Sequence, residues 1–159
     1  MFQRQNQQLI LDRISAVLDA TAETHADSLT ARLDEAERIF IAGAGRSKLV
    51  GNFLAMRLMH AGYDVSVVGE IVTPAIRPGD LLVTISGSGE TEQLIVFTKR
   101  ASVLGAKVVL ITTNSRSTIA NLADAVFQIG KSDVYGSVKG MPMGTTFELS
   151  ALCFLESLI

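Results

Sequence analysis

The chain has no tryptophan, one cysteine, two histidines, two tyrosines and three prolines in 159 residues. A single thiol, Cys153, forms no intrachain disulfide and leaves no cysteine set for a metal, which fits a reducing compartment. With only His25 and His60, and no His/Asp/Glu cluster at ligand spacing, no metal site is expected. Aromatic residues are 6% of the chain, a poor supply for sandwiching a flavin ring. The net charge of −2 is close to neutral, so a broad basic face for nucleic acid is not indicated and any anion must be held locally. No apolar run approaches the roughly 20 residues of a membrane span. The opening Met1-Phe2-Gln3-Arg4-Gln5-Asn6-Gln7-Gln8 is too polar for a secretory signal. Together these lacks describe a soluble, cytoplasmic protein with neither a nucleic-acid nor a membrane partner.

What the chain has is apolar patterning, at 48% hydrophobic residues, in a length that suits one domain over 1–159 with a single sizeable core. The leading segment 1–37 reads as helical, with one stripe at Leu9, Ile10, Ile14, Val17 and Leu18 and another at Leu29 and Leu33. Thr24 or Asp27 is placed to cap its second piece. A helix ahead of the first strand has little sheet to cover, so this stripe is expected to pack against another subunit of a homo-oligomer. From Arg38 onward, short apolar runs alternate with amphipathic segments. The runs are Ile39 to Ala42, Val65 to Val68, Leu81 to Ile85, Val108 to Ile111 and Val126 to Ile129; the helices span Ser47 to His60, Glu92 to Leu104, a turn near Ser117 to Leu122, and Thr146 to Ile159. Gly62 and Gly105 sit where helix C-caps belong. This pattern predicts an α/β fold, a three-layer doubly wound sheet of five parallel strands.

Ligands of such sheets bind beyond the carboxyl ends of the strands, at a topological switch point. Three polar loops fall there: Gly43-Ala44-Gly45-Arg46-Ser47, Ser86-Gly87-Ser88-Gly89-Glu90-Thr91 and Thr112-Thr113-Asn114-Ser115-Arg116-Ser117. In the second, an apolar strand stops abruptly in glycines and hydroxyls before a helix, whose first N–H groups and partial positive charge favour a phosphate. Each loop alone also fits a tight turn; three on one rim shift the balance toward a site. The first loop lacks the third glycine of a dinucleotide fingerprint, where Lys48 stands instead. A flavin mononucleotide would want its phosphate loop after the first strand, whereas the richest loop follows the third. A sugar phosphate fits better.

With these residues the chain resembles the sugar isomerase (SIS) domain family, and within it the 6-phospho-3-hexuloisomerases. The serine loop carries the general resemblance. Gly45-Arg46-Ser47 and Val68-Gly69-Glu70 with Thr73-Pro74-Ala75-Ile76 add to it, while the narrower one rests on Met56-Arg57-Leu58-Met59-His60 and Pro142-Met143-Gly144-Thr145-Thr146-Phe147-Glu148. The resemblance implies a flavodoxin-like fold, a homotetramer with shared active sites, and a small phosphosugar as partner. It implies interconversion of D-arabino-3-hexulose 6-phosphate with D-fructose 6-phosphate, in the ribulose monophosphate route of formaldehyde fixation, without a cofactor. It also implies that relatives continue past the match to Leu152–Ile159 with a polar tail, so this sequence is expected to break off inside its last helix.

Moving a carbonyl from C3 to C2 requires removing a proton beside it, passing through an enediolate and returning the proton one carbon away. The resemblance assigns the base to Glu148, at the head of the last helix among apolar neighbours that could lift its basicity toward a useful range. Thr145 and Glu148 also have the S/T-x-x-E spacing of a capping box, a purely structural account. His60 is the second candidate, as an acid aiding ring opening or polarising the carbonyl across a subunit boundary; a dipole-stabilised histidine at a helix C-terminus is the alternative. Ser86, Ser88 and Thr91 are expected around the phosphate, with Gly87 and Gly89 giving room and Ser47 reaching the sugar. Glu90 is expected to accept hydrogen bonds that hold the loop in shape rather than touch a dianion. Backbone N–H groups from Gly45 to Ser47 are candidates to stabilise the enediolate. Arg46 could pair with a charged oxygen or simply face solvent, and Ser115 and Ser117 either close the far side or form a polar turn. Two further readings share the fold: a non-catalytic sugar-phosphate sensor, and an isomerase for another phosphosugar such as arabinose 5-phosphate. The residues before the first strand are too few and insufficiently basic for a helix-turn-helix partner module.

Overall fold

The computed structural model describes residues 2–131, 141–142 and 144–159. Met143 of the Pro142–Glu148 motif, and Met1, lie outside the described residues. Two helices, α1 (Phe2–Asp19) and α2 (Thr24–Glu35), precede β1 (Ile39–Gly43), α3 (Gly45–His60) and β2 (Val65–Val67). Then follow β3 (Leu81–Ile85), α4 (Glu92–Val103), β4 (Lys107–Thr112), α5 (Thr118–Leu122), β5 (Ala125–Gln128) and α6 (Thr145–Glu156). The five strands form one parallel sheet in the order β2-β1-β3-β4-β5, with Ile41 level with both Val67 and Val83, and Val83 level with Val109. The expected strands and helices therefore appear with their ends shifted by a few residues at most.

The runs are apolar on both sides because both faces are covered. Ile39, Ile41, Val83, Val109 and Phe127 point into a core shared with α2, α3 and α6; Phe40, Ala42, Leu82, Val108 and Leu110 point into a second core under α4 and α5. The leading stripes, expected to face another subunit, are partly taken up within the chain itself. Val17, Leu29 and Leu33 are buried in the chain's own core, with His25 edge-on to Phe127 of β5. The physical reason is the width of the sheet: α3 covers β1 and β2, so the inner faces of β4 and β5 remain for α6 and α2 to close. Leu9, Ile10 and Ile14 stay half-buried on α1, which runs against α6. Neither Thr24 nor Asp27 caps α2, which begins after Glu23 without a side-chain cap. On α4 the buried stripe is Leu94, Thr98 and Ala101, while Val103 is exposed.

At the base of the sheet, Asp80 is fully buried and accepts from Arg38 Nε at 3.0 Å, Arg38 Nη2 at 2.6 Å and the Arg77 backbone N–H at 2.7 Å. Arg38 also donates to the Ala75 carbonyl, so one ion pair ties the start of β1 to the connection that leads into β3. This fixes the register of the two strands whose opposite ends form the site.

Candidate active site

Strands β1 and β3 are neighbours, yet α3 leaves β1 toward one face of the sheet and α4 leaves β3 toward the other. Their loops diverge, and the crevice between them is the switch point where such sheets bind ligands. After β1 the chain turns at once into α3. A Cβ on Gly43 would lie 2.8 Å from both N and Cα of Lys48, so the strand can end directly beneath the helix only with glycine there. Gly45, Arg46 and Ser47 thereby become the first helical turn, with Arg46 exposed and Ser47 half-buried at the rim.

The serine loop is built from its own hydroxyls. Ser86 Oγ is buried and accepts from the Gly89 N–H at 3.1 Å, and Ser88 Oγ accepts from the Glu90 N–H at 3.2 Å. Thr91 Oγ1 lies 3.4 Å from Ser86 Oγ and makes no capping bond to α4. A hydroxyl that accepts from a backbone N–H keeps its own proton to give. Ser86 and Ser88 are thus donors set around the open N-terminus of α4, the arrangement a phosphate dianion needs.

The loop is held from behind by β4 and α5. The Gly87 carbonyl accepts from Thr112 Oγ1 at 3.0 Å and Thr113 Oγ1 at 2.8 Å, and Asn114 Nδ2 donates to the Ser88 carbonyl at 3.3 Å. Glu90 turns away from the crevice: its carboxylate accepts from the Thr118 N–H at 2.8 Å and from Thr118 Oγ1 at 2.7 Å. Those two bonds, the hydroxyl's first, hold its carboxyl below the usual glutamate range. The donor to Glu90 thus lies on α5 rather than in its own loop. Ser117 is the N-cap of α5, accepting from the Ala120 N–H at 3.2 Å; this is the polar-turn account, and Ser115 is simply exposed.

The carboxylate Glu148 comes from the far end of the chain. Gly144 is the N-cap of α6, in the left-handed region at φ 85°, and the Glu148 N–H donates to the Gly144 carbonyl at 2.9 Å. That excludes the capping box with Thr145, which is already inside the helix. The Glu148 side chain, 11% exposed, instead ion-pairs with Nε of Arg46. Arg46, Leu49, Val50, Phe53, Glu148 and Leu149 line a small cleft of about 150 Å³. The first turns of α3 and α6 thus meet at the β1 side of the crevice. Sequence reasoning left Arg46 open between a charged partner and solvent, and only the packing of α3 on α6 decides it.

His60 is not brought to this cleft within one chain. It ends α3, fourteen residues beyond Arg46, which at 1.5 Å of rise per residue is about 21 Å away. It lines a separate, larger groove of about 510 Å³ with Leu49, Asn52, Phe53, Met56, Arg57 and Glu156, where Arg57 pairs with Glu156. Among the described residues no group of three or more His, Cys, Asp or Glu is arranged to hold a metal ion, and no helix is long and apolar enough to cross a membrane.

Comparison with known proteins gives the same architecture a family. The model of the SIS domain matches residues 32–152. A 3-hexulose-6-phosphate isomerase of Methylomonas aminofaciens is 50% identical over 155 residues, covering 96% of this chain and 86% of its own. One from Bacillus subtilis is 41% identical, over 84% of this chain and 75% of its own. Among solved structures, a hypothetical protein of Methanococcus jannaschii, whose structure was taken to infer 3-hexulose-6-phosphate isomerase function, superposes with a TM-score of 0.85. It is 34% identical over 97% of this chain and 86% of that one. With the matching model spanning most of its length and a crevice built from the serine loop, this chain belongs to the SIS domain family.

Proposed function

We propose that this chain is a sugar-phosphate ketol isomerase that interconverts D-arabino-3-hexulose 6-phosphate and D-fructose 6-phosphate. The named activity of relatives up to 50% identical supports this reading, and one observation in the fold carries it: a buried carboxylate, Glu148, ion-paired with Arg46 of the loop that follows β1. Ser86, Ser88, Thr91 and the first N–H groups of α4 take the phosphate, with Gly87 and Gly89 leaving room and Ser47 and the Gly45 turn facing the sugar. A 3-ketose phosphorylated on O6 cannot close a five-membered ring through that oxygen, so it enters open. Glu148 removes the C2 proton, the electron pair shifts to O3, and the 2,3-enediolate forms. The O2 proton passes to O3 as Glu148 returns its proton to C3, leaving the carbonyl at C2. In the cell such a step fits the fixation of formaldehyde through ribulose monophosphate, in the cytoplasm.

The assembly belongs to the same proposal. Leu49, Phe53, Met56 and Met59 are 64%, 55%, 58% and 51% exposed on α3, an apolar stripe ending at His60. Exposed patches of this kind mark interfaces, and a two-fold contact uses one patch twice. An antiparallel pairing of α3 centred between Phe53 and Met56 sets Leu49, at the Glu148 cleft, against the partner's His60. That supports a two-fold dimer in which His60 serves the neighbouring site, and two such dimers would make the proposed homotetramer.

Turnover of 3-hexulose 6-phosphate by the purified protein tests the activity, with arabinose 5-phosphate as the competing substrate. Glu148→Gln is expected to lower kcat by about 10²–10⁴-fold with KM nearly unchanged; near-normal turnover removes the base assignment. Mixing His60→Ala with Glu148→Gln subunits is expected to restore about one quarter of the activity if dimers exchange at random, since one site of each mixed dimer is intact. No restoration removes the shared site.

A further inference from the structure

Beyond the base itself, the Arg46–Glu148 pair has an unused side. Guanidinium presents five N–H groups in a planar fork, and only Nε is turned to Glu148. Among the described residues, Nη1 and Nη2 make no hydrogen bond, and the Arg46 side chain is 62% exposed over the cleft. Burying a carboxylate beneath an arginine that solvent reaches freely is a poor stability device, because exposed ion pairs contribute little. It is a good way to present two parallel N–H groups beside a base.

We propose that Arg46 is a catalytic residue with two simultaneous tasks: Nε fixes the orientation of Glu148, and the Nη1/Nη2 edge binds O2 and O3 of the cis-enediolate. The inference rests on Glu148 being the base. Its chemistry follows from where charge moves. In the 3-ketose the charge sits on neither oxygen; after C2 deprotonation it lies on O3, and after proton transfer from O2 to O3 it lies on O2. A donor to one oxygen alone would favour one half of the reaction. A fork spanning both is bound equally through the transfer, and the two oxygens of a cis-enediolate match its geometry as a carboxylate's do. Because Nε remains on Glu148, the base and the oxyanion donor are one rigid unit held by the first turns of α3 and α6. The backbone N–H groups of Gly45 to Ser47 then supplement Arg46 rather than act alone.

The test uses Arg46→Ala and Arg46→Lys in the full chain, with two inhibitors that share the phosphate. One is 4-phosphoerythronohydroxamate, whose planar anionic N–O and C=O groups stand for C2–O2 and C3–O3. The other, erythritol 4-phosphate, offers the phosphate without the enediolate. Arg46→Ala is expected to lower kcat by about 10²–10³-fold and weaken the hydroxamate about 100-fold, while erythritol 4-phosphate changes less than about threefold. Millimolar guanidinium is expected to restore part of kcat in Arg46→Ala but not in Arg46→Lys, which keeps charge without the fork. A kcat within about threefold of wild type overturns the proposal, as does equal weakening of both inhibitors, which would make Arg46 a structural support only. Failure of the wild-type protein to isomerise either hexulose phosphate would instead overturn the proposed function, while the hydroxamate preference could still be read.

Discussion

The serine loop depends on a glycine whose replacement can be worked out atom by atom. Gly89 has φ +68°, and a Cβ there would lie 2.0 Å from Ser117 Oγ and 2.5 Å from Ser117 Cβ, with Thr112 Oγ1 at an ordinary 3.7 Å. Gly89→Ala therefore carries two separable penalties. The left-handed backbone costs about 1–2 kcal/mol for any L side chain. The collision is worse, because Ser117 is fully buried and its Oγ caps α5 at Ala120. Relief means moving the loop or uncapping α5, the latter costing about 1 kcal/mol. Moving the loop also breaks the Gly89 N–H to Ser86 Oγ bond that sets the phosphate donors. Two charge-assisted bonds lost at about 1.5–3 kcal/mol each would raise KM by 100-fold or more. The discriminating experiment is the double variant. Ser117→Gly removes both colliding atoms and costs a cap only a few tenths of a kcal/mol. Gly89→Ala/Ser117→Gly should recover most of the KM while keeping the backbone penalty of about 1–2 kcal/mol in urea unfolding. If Gly89→Ala leaves KM within about threefold of wild type, or the second substitution restores nothing, the loop does not hold phosphate in the described conformation.

Other perturbations read other parts of the molecule. Glu90 has a depressed carboxyl in the folded state through Thr118, so its contribution is present above the ordinary glutamate value and is lost as pH falls below it. The stability difference between wild type and Glu90→Gln should shrink between about pH 6 and about pH 3 in urea titrations, and a constant difference refutes the latch. Phe147 is fully buried between α6 and the sheet, so Phe147→Ala should cost about 3–5 kcal/mol and lower Tm by on the order of 10 °C in calorimetry. Asp80→Ala leaves Arg38 without its buried partner and should cost about 3 kcal/mol, at the lower end of the range because Arg38 keeps some solvent. KM should be nearly unchanged in Asp80→Ala, since the pair lies at the opposite end of β1 and β3 from the site.

The sheet was legible because its strands are buried on both faces: runs such as Leu81 to Ile85 and Val108 to Ile111 leave a strand no polar side. The serine loop was legible for the complementary reason, a hydroxyl and glycine segment directly after such a run. Glu148 was reached only through family resemblance, since its spacing to Thr145 reads equally well as a capping box. What removes the capping-box account is Gly144 taking the cap, a positive-φ choice that the surrounding residues do not announce. The intrachain burial of Val17, Leu29 and Leu33 was not legible, because covering a sheet is a matter of area. A helix that precedes the first strand in sequence can still be needed at β5, the last strand of the chain. The Arg46 to Glu148 pair joins residues 102 positions apart, and no local pattern encodes it.

The division of charge in the crevice makes chemical sense of that pair. A phosphate dianion beside the reacting carbons would attract any mobile cation away from the enediolate. In the proposed site the serine loop offers hydroxyls and helical N–H groups, which would bind the dianion through partial charges fixed in the backbone. The arginine of the β1 loop is already committed through Nε to Glu148. On the proposed assignment each anion would meet its own class of donor: fixed dipoles for the phosphate, which is unchanged through the reaction, and a guanidinium for the oxygens on which charge appears. Only the second interaction strengthens on the way to the transition state, and only that kind of interaction accelerates turnover. The loop that marks the protein as a phosphosugar binder should accordingly govern KM, while substitutions at Arg46 and Glu148 should appear in kcat.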